Sequence, residues 1–430
     1  MTMNNRIAFI SDHASPLSPP GSTDCGGQNV YVAETAKLLA EMGYQVDIFT
    51  RRETRDTPRV INWVPGVRVI HLDAGPAESI PKEEILVFME EFRDNLISFI
   101  IEGDVNYKLI HAHFFMSGWV AAELKKVLSI PFVITFHALG HVRKIHQQDK
   151  DRFPARRLQI EESVVKAADR IIAECPQDKS DLMTFYRANQ ANITVVPCGF
   201  NPDEFHPVLQ QDARRLLGLN QNDFIILQLG RMVPRKGIDN LIKSMNMLKS
   251  GSRTVKLLVV GGETDNDSLS ASPELQRLIQ IADENGVADK VSFVGRKSRN
   301  QLRYYYSAAD VFVTTPWYEP FGITPLEAMA CGVPVIGSDV GGIKFSVVDG
   351  ETGFLVPPNN PEALAHKISV LINDRKLLGE MRVNALMRVN THFKWKNVSM
   401  KLSEIYTETI KRGAGRKFMT RTALNDTEAA

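Results

Sequence analysis

Residues 315–337 constrain the fold of this chain most, because they have the pattern strand end, loop, helix, loop and strand. The run 311–314 just before them is β-branched and aromatic, which predicts a buried strand. Thr324 is a plausible N-cap, and Pro325 fits the first helical position, where its missing N–H group costs nothing. Residues 333–336 predict the following strand. The pattern therefore predicts a loop and a helix N-terminus at the carboxyl edge of a parallel sheet, which favours anion binding.

Two carboxylates flank this predicted helix N-terminus. Glu319 lies between Tyr318 and Pro320 in the loop, where it caps nothing obvious. Glu327 has two interpretations, because Thr324-x-x-Glu327 has the spacing of a capping box. Carboxylates beside an anion site also suit a nucleotide sugar, whose ribose and hexose hydroxyls need acceptors. The residues alone leave both roles of Glu327 open.

A longer pattern resembles a known family. Glu319-Pro-Phe-Gly, followed by Glu327-Ala-Met-Ala-x-Gly-x-Pro-Val, is similar to the E-x7-E signature of retaining glycosyltransferases of family 4. Gly341-Gly342 and residues 349–356 match the same family. The resemblance implies an α/β chain with the GT-B fold, in which two Rossmann-like domains with parallel sheets face each other across a cleft. It also implies hexosyl transfer with retention of anomeric configuration.

The length of 430 residues is too great for one comfortable core, so two domains are expected. Alternating strand and helix patterns predict parallel sheets covered on both faces. The Pro-rich segment 197–207 is the predicted boundary. We therefore expect an N-terminal acceptor-binding domain over 1–200, a nucleotide-sugar-binding domain over 207–394 and a tail over 413–430. The resemblance implies that a helix at about 395–412 joins the first domain.

Composition excludes several classes of protein. A net charge of +1 argues against a dedicated nucleic-acid binder. No apolar run reaches the length of a transmembrane helix, and the N-terminus does not have the pattern of a signal peptide. The four cysteines are scattered, without a C-x-x-C pair, which suits reduced thiols. The chain is expected to be cytoplasmic, with peripheral membrane contact left open.

Cations follow the first predicted strand of the second half. Arg231 and Lys236 lie at a strand-to-helix turn and are the natural pair for a diphosphate, whereas Arg235 is predicted to lie at the surface. Gly-Arg-x4-Lys-Gly resembles the diphosphate clamp of the family. The resemblance implies further donor contacts, and the candidates are Gly26, Gly27, Arg296, Phe321, Gly322 and Ile323. Glu319 would then hold hexose hydroxyls and Glu327 the ribose.

Histidines occur at predicted strand ends in the first half. His111, His113 and His137 could form a zinc site on paper, but no acidic or cysteine partner has ligand spacing. His137 resembles the family's strand-end histidine, which implies a role at the reacting centre with Glu319, Arg231 and Lys236. No metal is predicted to be required. Asp265-Asn-Asp267 matches the metal motif of a different glycosyltransferase class and is interpreted as incidental.

The acceptor is less constrained by the sequence. Residues 140–157 are rich in cations, which suggests either a solvated helix face or a phosphate pocket. Arg157, with Lys144, is the candidate for an acceptor phosphate. Residues 26–31 and the Arg157 region are similar to sucrose-phosphate synthases and inositol-phosphate glycosyltransferases. The resemblance implies transfer of a hexosyl group, with UDP-glucose as the favoured donor, to a sugar, sugar-phosphate or glycan acceptor.

Two alternatives remain open at this stage. A sugar-nucleotide epimerase with the same fold would convert the donor without any acceptor. A non-catalytic nucleotide-sugar-binding protein would bind the donor and never turn it over. Incubation with the donor alone separates the epimerase from the transferase.

Overall fold

A computed structural model of the protein describes residues 5–18, 26–262 and 272–428, with side chains up to residue 413. Asp265-Asn-Asp267 lies outside these residues. The described chain divides into two compact units. Residues 5–18, 28–197 and 396–428 form the first unit, and residues 26–27, 198–262 and 272–395 form the second.

The first unit is built on an eight-stranded sheet. Its strands are β1 (Arg6–Ile10), β2 (Gln45–Arg51), β3 (Val60–Val64), β4 (Val67–Leu72), β5 (Leu109–His113), β6 (Phe132–Thr135), β7 (Arg170–Ala173) and β8 (Ile193–Val195). Their spatial order is β3-β4-β2-β1-β5-β6-β7-β8. All neighbours are parallel except β3 and β4, which pair antiparallel. From β1, the strands β2 to β4 are added on one side of the sheet and the strands β5 to β8 on the other. The carboxyl ends of β1 and β5 therefore form a switch point.

Helices accompany this sheet in the expected alternation. They are α1 (Gly27–Glu41), α2 (Met89–Glu102), α3 (Phe115–Leu128), α4 (Gly140–Gln147), α5 (Arg156–Ala167) and α6 (Pro176–Tyr186). The inner strands are fully buried, and they pack with α2, α3 and α5 into one apolar core. This is the behaviour of parallel strands whose two faces are both covered.

The second unit is built on a six-stranded parallel sheet. Its strands are β9 (Phe224–Leu229), β10 (Val255–Val260), β11 (Val291–Gly295), β12 (Val311–Thr314), β13 (Val335–Ser338) and β14 (Gly353–Val356). Their order is β11-β10-β9-β12-β13-β14. The switch point lies between β9 and β12. The loops that carry Lys236 and Glu319 follow these two strands, so the fold brings them to one edge.

Eight helices are described in this unit. They are α7 (Gln210–Leu216), α8 (Ile238–Met245), α9 (Pro273–Glu284), α10 (Arg299–Ala308), α11 (Ile323–Ala330), α12 (Ile343–Ser346), α13 (Pro361–Asn373) and α14 (Arg375–His392). The two mainly parallel sheets with their helices confirm the predicted α/β class. No helix among the described residues has an apolar stretch long enough to cross a bilayer.

The start of α11 differs from the prediction. The helix begins at Ile323 with Gly322 as its N-cap, so Thr324 and Pro325 are its second and third residues. Gly322 has a φ of +93°, a backbone conformation that a glycine adopts without strain. This turn starts the helix two residues before the local Thr-Pro signal.

The C-terminal helix also differs from the prediction. α15 runs from Trp395 to Glu428, whereas the sequence predicted a helix at about 395–412 and a tail over 413–430. Gly413 and Gly415 suggested an end, but each costs only about 1 kcal/mol in a helix. The residues beyond them include many good helix formers, which favour continuation of the helix.

Candidate functional site

A carboxylate and two cations meet at the switch point of the second sheet. Lys236 ends a short 3-10 turn after β9, and its Nζ donates a hydrogen bond to Oε2 of Glu319 in the loop after β12. Nη1 of Arg235 lies 3.4 Å from the same oxygen. All three side chains are largely buried. The prediction that Arg235 lies at the surface was therefore wrong, because the fold turns it toward the Glu319 loop.

The charges of this cluster shift its pKa values. Burial would raise the pKa of Glu319, but Lys236, Arg235 and Arg231 outweigh burial and lower it to about 2. Burial lowers the pKa of Lys236 to about 8, against the opposing effect of Glu319. Because Arg231 also acts on Glu319, three cations face this one carboxylate at neutral pH. A net positive charge with few water contacts favours an anionic ligand such as a diphosphate.

The loops after β9 and β12 approach closely at Gly237. Gly237 has a φ of +65°, and a Cβ there would lie 2.0 Å from the carbonyl oxygen of Thr315. The Thr315 hydroxyl donates to the Gly237 carbonyl at 2.9 Å, and the Trp317 N–H donates to the Arg235 carbonyl at 2.9 Å. The spacing of Lys236 from Glu319 is therefore set by backbone contacts, which keep the cations preorganised.

Glu327 lies on α11 and is only 3% exposed. Arg299 Nη1 donates to its Oε1 at 3.1 Å, and the Tyr306 hydroxyl donates to its Oε2 at 2.9 Å. The capping-box interpretation was wrong, because Thr324 lies inside the helix and no side chain caps its N-terminus. Burial raises the pKa of Glu327, while Arg299 acts in the opposite direction. A ribose contact stays a prediction.

Arg299 was not singled out from the sequence. Its Nε donates to Glu204 at 2.5 Å, so this one guanidinium joins Glu204 to Glu327. Its position in the first turn of α10, directly after the polar loop that follows β11, was the available signal.

The remaining donor candidates lie at strand or helix ends. Gly26 and Gly27 are at the start of α1, and Gly322 and Ile323 at the start of α11. Phe321 is 3% exposed, with its ring centroid 6.3 Å from that of Phe393. Arg231 and Arg296 are half-buried and follow β9 and β11. These roles stay predictions.

The first sheet has its own polar cluster. His113 ends β5 and His137 lies two residues beyond β6, with 3.1 Å between His113 Nδ1 and His137 Nε2. Their rings stack with centroids 5.3 Å apart, and the ring centroids of His111 and His113 are 4.1 Å apart. Burial lowers the pKa of His111 and of His113 well below the usual range, so both are neutral at pH 7. His137 has a φ of +57°, which is uncommon for a residue with a side chain.

Glu174 is the acidic member of this cluster and was not predicted from the sequence. Glu174 follows β7, and its Oε1 lies 3.0 Å from Nδ1 of His137. Because β5, β6 and β7 are adjacent and parallel, their carboxyl ends meet at one edge. An acidic residue directly after a predicted strand was the signal that could have found it. Among the described residues, no group of three or more His, Cys, Asp or Glu side chains could hold a metal ion.

The two acceptor candidates have different environments. Arg157 is the second residue of α5, and it is 2% exposed. Its Nε donates to Glu161 at 2.7 Å and its Nη2 to the Ala138 carbonyl at 2.6 Å. Its Nη1 has no hydrogen-bond partner in the described part of the chain. Lys144 is exposed on α4.

This fold and these polar strand ends define a class of enzyme. Two Rossmann-like units on mainly parallel sheets match the GT-B glycosyltransferases in structure. Residues 25–204 match the family described as Glycosyltransferase Family 4, and residues 210–387 match the family described as Glycosyl transferases group 1. The chain therefore belongs to the family 4, group 1 glycosyltransferases, and the family predicted from its motifs is confirmed.

Relatives match over almost the full chain. A D-inositol 3-phosphate glycosyltransferase of Thermobispora bispora is 34% identical over 414 residues, covering 95% of this chain and 96% of that protein. Sucrose-phosphate synthase of Thermosynechococcus elongatus superimposes with a TM-score of 0.86 at 35% identity, covering 95% of this chain and 99% of that one. Anabaena HepE, solved with UDP-glucose, superimposes with a TM-score of 0.73 at 19% identity, covering 94% and 99% of the two chains.

Proposed function

We propose that this glycosyltransferase transfers a hexosyl group from a nucleotide diphosphate sugar, with UDP-glucose as the favoured donor, and retains the anomeric configuration. The observation that carries the proposal is the pairing of Lys236 and Arg235 with the carboxylate of Glu319, on which Arg231 also acts. Such a cluster stabilises the charge that develops on a leaving diphosphate. Loss of one such donor typically lowers kcat by about a hundredfold to a thousandfold.

The second unit binds the donor in this proposal. The cations seat the diphosphate, Glu319 accepts hydrogen bonds from hexose hydroxyls, and Glu327 accepts them from the ribose. Fixed cations can supply the charge stabilisation, so the proposed reaction needs no metal ion. Retention follows the scheme of the family, in which the acceptor attacks on the face from which the diphosphate leaves. The proton of the acceptor hydroxyl passes to a diphosphate oxygen.

The first unit binds the acceptor, and we favour a phosphorylated hexose or inositol. Two relatives support this choice by their names, the D-inositol 3-phosphate glycosyltransferase and sucrose-phosphate synthase. Nη1 of Arg157 is buried and is the donor of this guanidinium that has no hydrogen-bond partner among the described residues. Guanidinium groups are suited to phosphate because their N–H groups match its oxygens. His137 assists at the reacting centre.

A donor-by-acceptor matrix tests the proposal. UDP-glucose, UDP-N-acetylglucosamine, ADP-glucose and GDP-mannose are each combined with fructose 6-phosphate, inositol 3-phosphate, their unphosphorylated forms or no acceptor. The expected result is acceptor-dependent release of UDP, strongest with a phosphorylated acceptor, unchanged by a chelator, and an α-linked product by NMR from an α-linked donor. Donor conversion without any acceptor would instead indicate an epimerase. Calorimetric binding of UDP without turnover in any combination would indicate a non-catalytic binding protein.

A further inference from the structure

We infer that Glu174 is a positioning residue for the transfer reaction, because it holds His137 in one tautomer and one orientation through a hydrogen-bonded chain that ends at His113. The inference rests on the proposed function, since it assigns Glu174 its effect through the role of His137 in transfer. The three residues of this hydrogen-bonded chain come from the carboxyl ends of β5, β6 and β7. It adds a residue that neither the motifs of the sequence nor the family resemblance identified.

The direction of each hydrogen bond follows from chemistry. A carboxylate only accepts, so Glu174 Oε1, at 3.0 Å, requires a proton on Nδ1 of His137. Nε2 of His137 lies 3.1 Å from Nδ1 of His113, and in the chain that we infer it accepts the Nδ1–H of His113. A neutral His113 has one N–H group, so its Nε2 is bare. Nε2 of His113 is buried and has no partner among the described residues, in agreement with this assignment.

Packing removes the freedom of these rings to turn. The side chains of His137 and Glu174 are 8% and 5% exposed, and His113 is fully buried. The ring of Tyr31 packs edge-on against His113 and His137, at centroid distances of 5.6 and 5.1 Å. A flip of the His137 ring would break both hydrogen bonds in a site with little access to water, which is costly.

Glu174 is itself held in place. Its backbone N–H donates to Oδ2 of Asp178 at 3.0 Å, in the first turn of α6. Its carboxylate therefore projects from a fixed backbone toward His137. The His137 backbone has a left-handed φ of +57°, which costs an ordinary residue about 1 kcal/mol or more. Two hydrogen bonds to the ring offset that cost and fix the side chain and backbone of His137 together.

The test compares Glu174→Leu, Glu174→Gln and the matched control Glu162→Gln, whose side chain is exposed on α5. Leucine removes the acceptor, whereas glutamine keeps an oxygen acceptor and removes the charge. We expect Glu174→Leu to lower kcat about tenfold to a hundredfold, the range seen when a metal-bound histidine loses its outer hydrogen-bond partner. The donor KM should stay within about twofold, and Glu174→Gln should recover part of kcat. Glu162→Gln should match the wild type.

A spectroscopic readout separates this inference from the proposed function. Histidine 15N shifts of the full chain, assigned with His137→Asn, report which ring nitrogen carries the proton. Protonated Nδ1 in the wild type and its loss in Glu174→Leu support the inference, even if no donor is turned over. A wild-type His137 protonated on Nε2 alone would overturn it. A wild-type kcat in both Glu174 variants would overturn the inference as well. If the leucine variant fails to fold, kcat and the histidine 15N shifts of the near-isosteric glutamine variant decide.

Discussion

Nε of Arg157 lies 2.7 Å from Oε1 of Glu161, one helical turn further along α5, and both side chains are almost completely buried. The same carboxylate accepts from the Gly140 N–H at 3.0 Å and from the Tyr186 hydroxyl. The guanidinium lies 4.5 to 5.0 Å from the ring centroids of three phenylalanines. Arg157, the candidate ligand for an acceptor phosphate, is thus also part of the core that joins α4, α5 and α6.

A double-mutant cycle measures the coupling of this ion pair. Glu161→Gln leaves Arg157 charged and buried, so we expect it to lower the free energy of unfolding by about 3–5 kcal/mol. Arg157→Met alone completes the cycle, and Arg157→Met together with Glu161→Gln removes both charges and keeps an acceptor for Gly140. The double variant should lose less stability than Glu161→Gln alone. Urea unfolding followed by circular dichroism provides the measurement, and strictly additive losses would contradict the coupling.

Local signals in the sequence were sufficient for the fold class. The apolar runs that became β1, β5, β6, β9 and β12 predicted buried parallel strands, because such strands are covered on both faces. β3 was not predicted, although four of its five residues are apolar. It is an edge strand with exposed and half-buried residues that pairs antiparallel with β4, so it falls outside the pattern of buried parallel strands alternating with helices. The start of α11 was missed because the backbone geometry of Gly322 outweighed a local Thr-Pro pattern.

Side-chain partners were harder to predict than strands. Glu174 and His137 are 37 residues apart in the chain, and Arg235 and Glu319 are 84 apart. Each pair meets only because parallel strands place their loops at one edge. The sequence motif identified Glu319 and Lys236 as separate ligand candidates, but not the ion pair that joins them. Periodicity reports which face of an element is buried, and it carries no information on such long-range pairs.

The pH dependence of donor binding should depend on Lys236. Its pKa is lowered to about 8, so the cation is present below that pH and is lost as the pH rises through it. We expect UDP affinity to fall on the alkaline side of about pH 8. Lys236→Arg should shift that fall to higher pH, because a guanidinium stays charged. Calorimetry with UDP between about pH 7 and pH 9.5 measures this. If UDP affinity fell at the same pH in Lys236→Arg as in the wild type, the titrating group would be another residue. Lys243→Arg is the control variant.

Arg299 should determine how well Glu327 serves as an acceptor. Burial already raises the pKa of Glu327, and Arg299 opposes that rise. Arg299→Met should therefore raise the pKa of Glu327 further and favour its protonated form, a poorer acceptor for ribose hydroxyls. We expect UDP to bind about tenfold more weakly, a change of roughly 1.4 kcal/mol, with a larger loss at acidic pH.

Arg303→Met is the matched control for Arg299→Met. Arg303 lies one turn further along α10, and its guanidinium donates to the Tyr304 hydroxyl at 2.8 Å rather than to Glu327. It should leave UDP affinity unchanged when measured by the same titration. If Arg299→Met bound UDP as tightly as the wild type at every pH, Glu327 would not be a ribose ligand that depends on its charge.

The loop that carries Glu319 should be sensitive to one glycine. Gly341 has a φ of +46°, and a Cβ there would lie 1.8 Å from the carbonyl oxygen of Glu319. Gly341→Ala must displace that carbonyl or its own backbone, which moves Glu319 away from Lys236.

Gly350 also has a positive φ, of +81°, but nothing lies within 4 Å of its Cβ position. Gly350→Ala thus reproduces the backbone strain, about 1 kcal/mol, without the clash. We expect Gly341→Ala alone to lower kcat/KM for the donor by more than tenfold, since a shift of about 1 Å can cost a hundredfold. Equal losses in both variants would show that strain, rather than the position of Glu319, determines the effect.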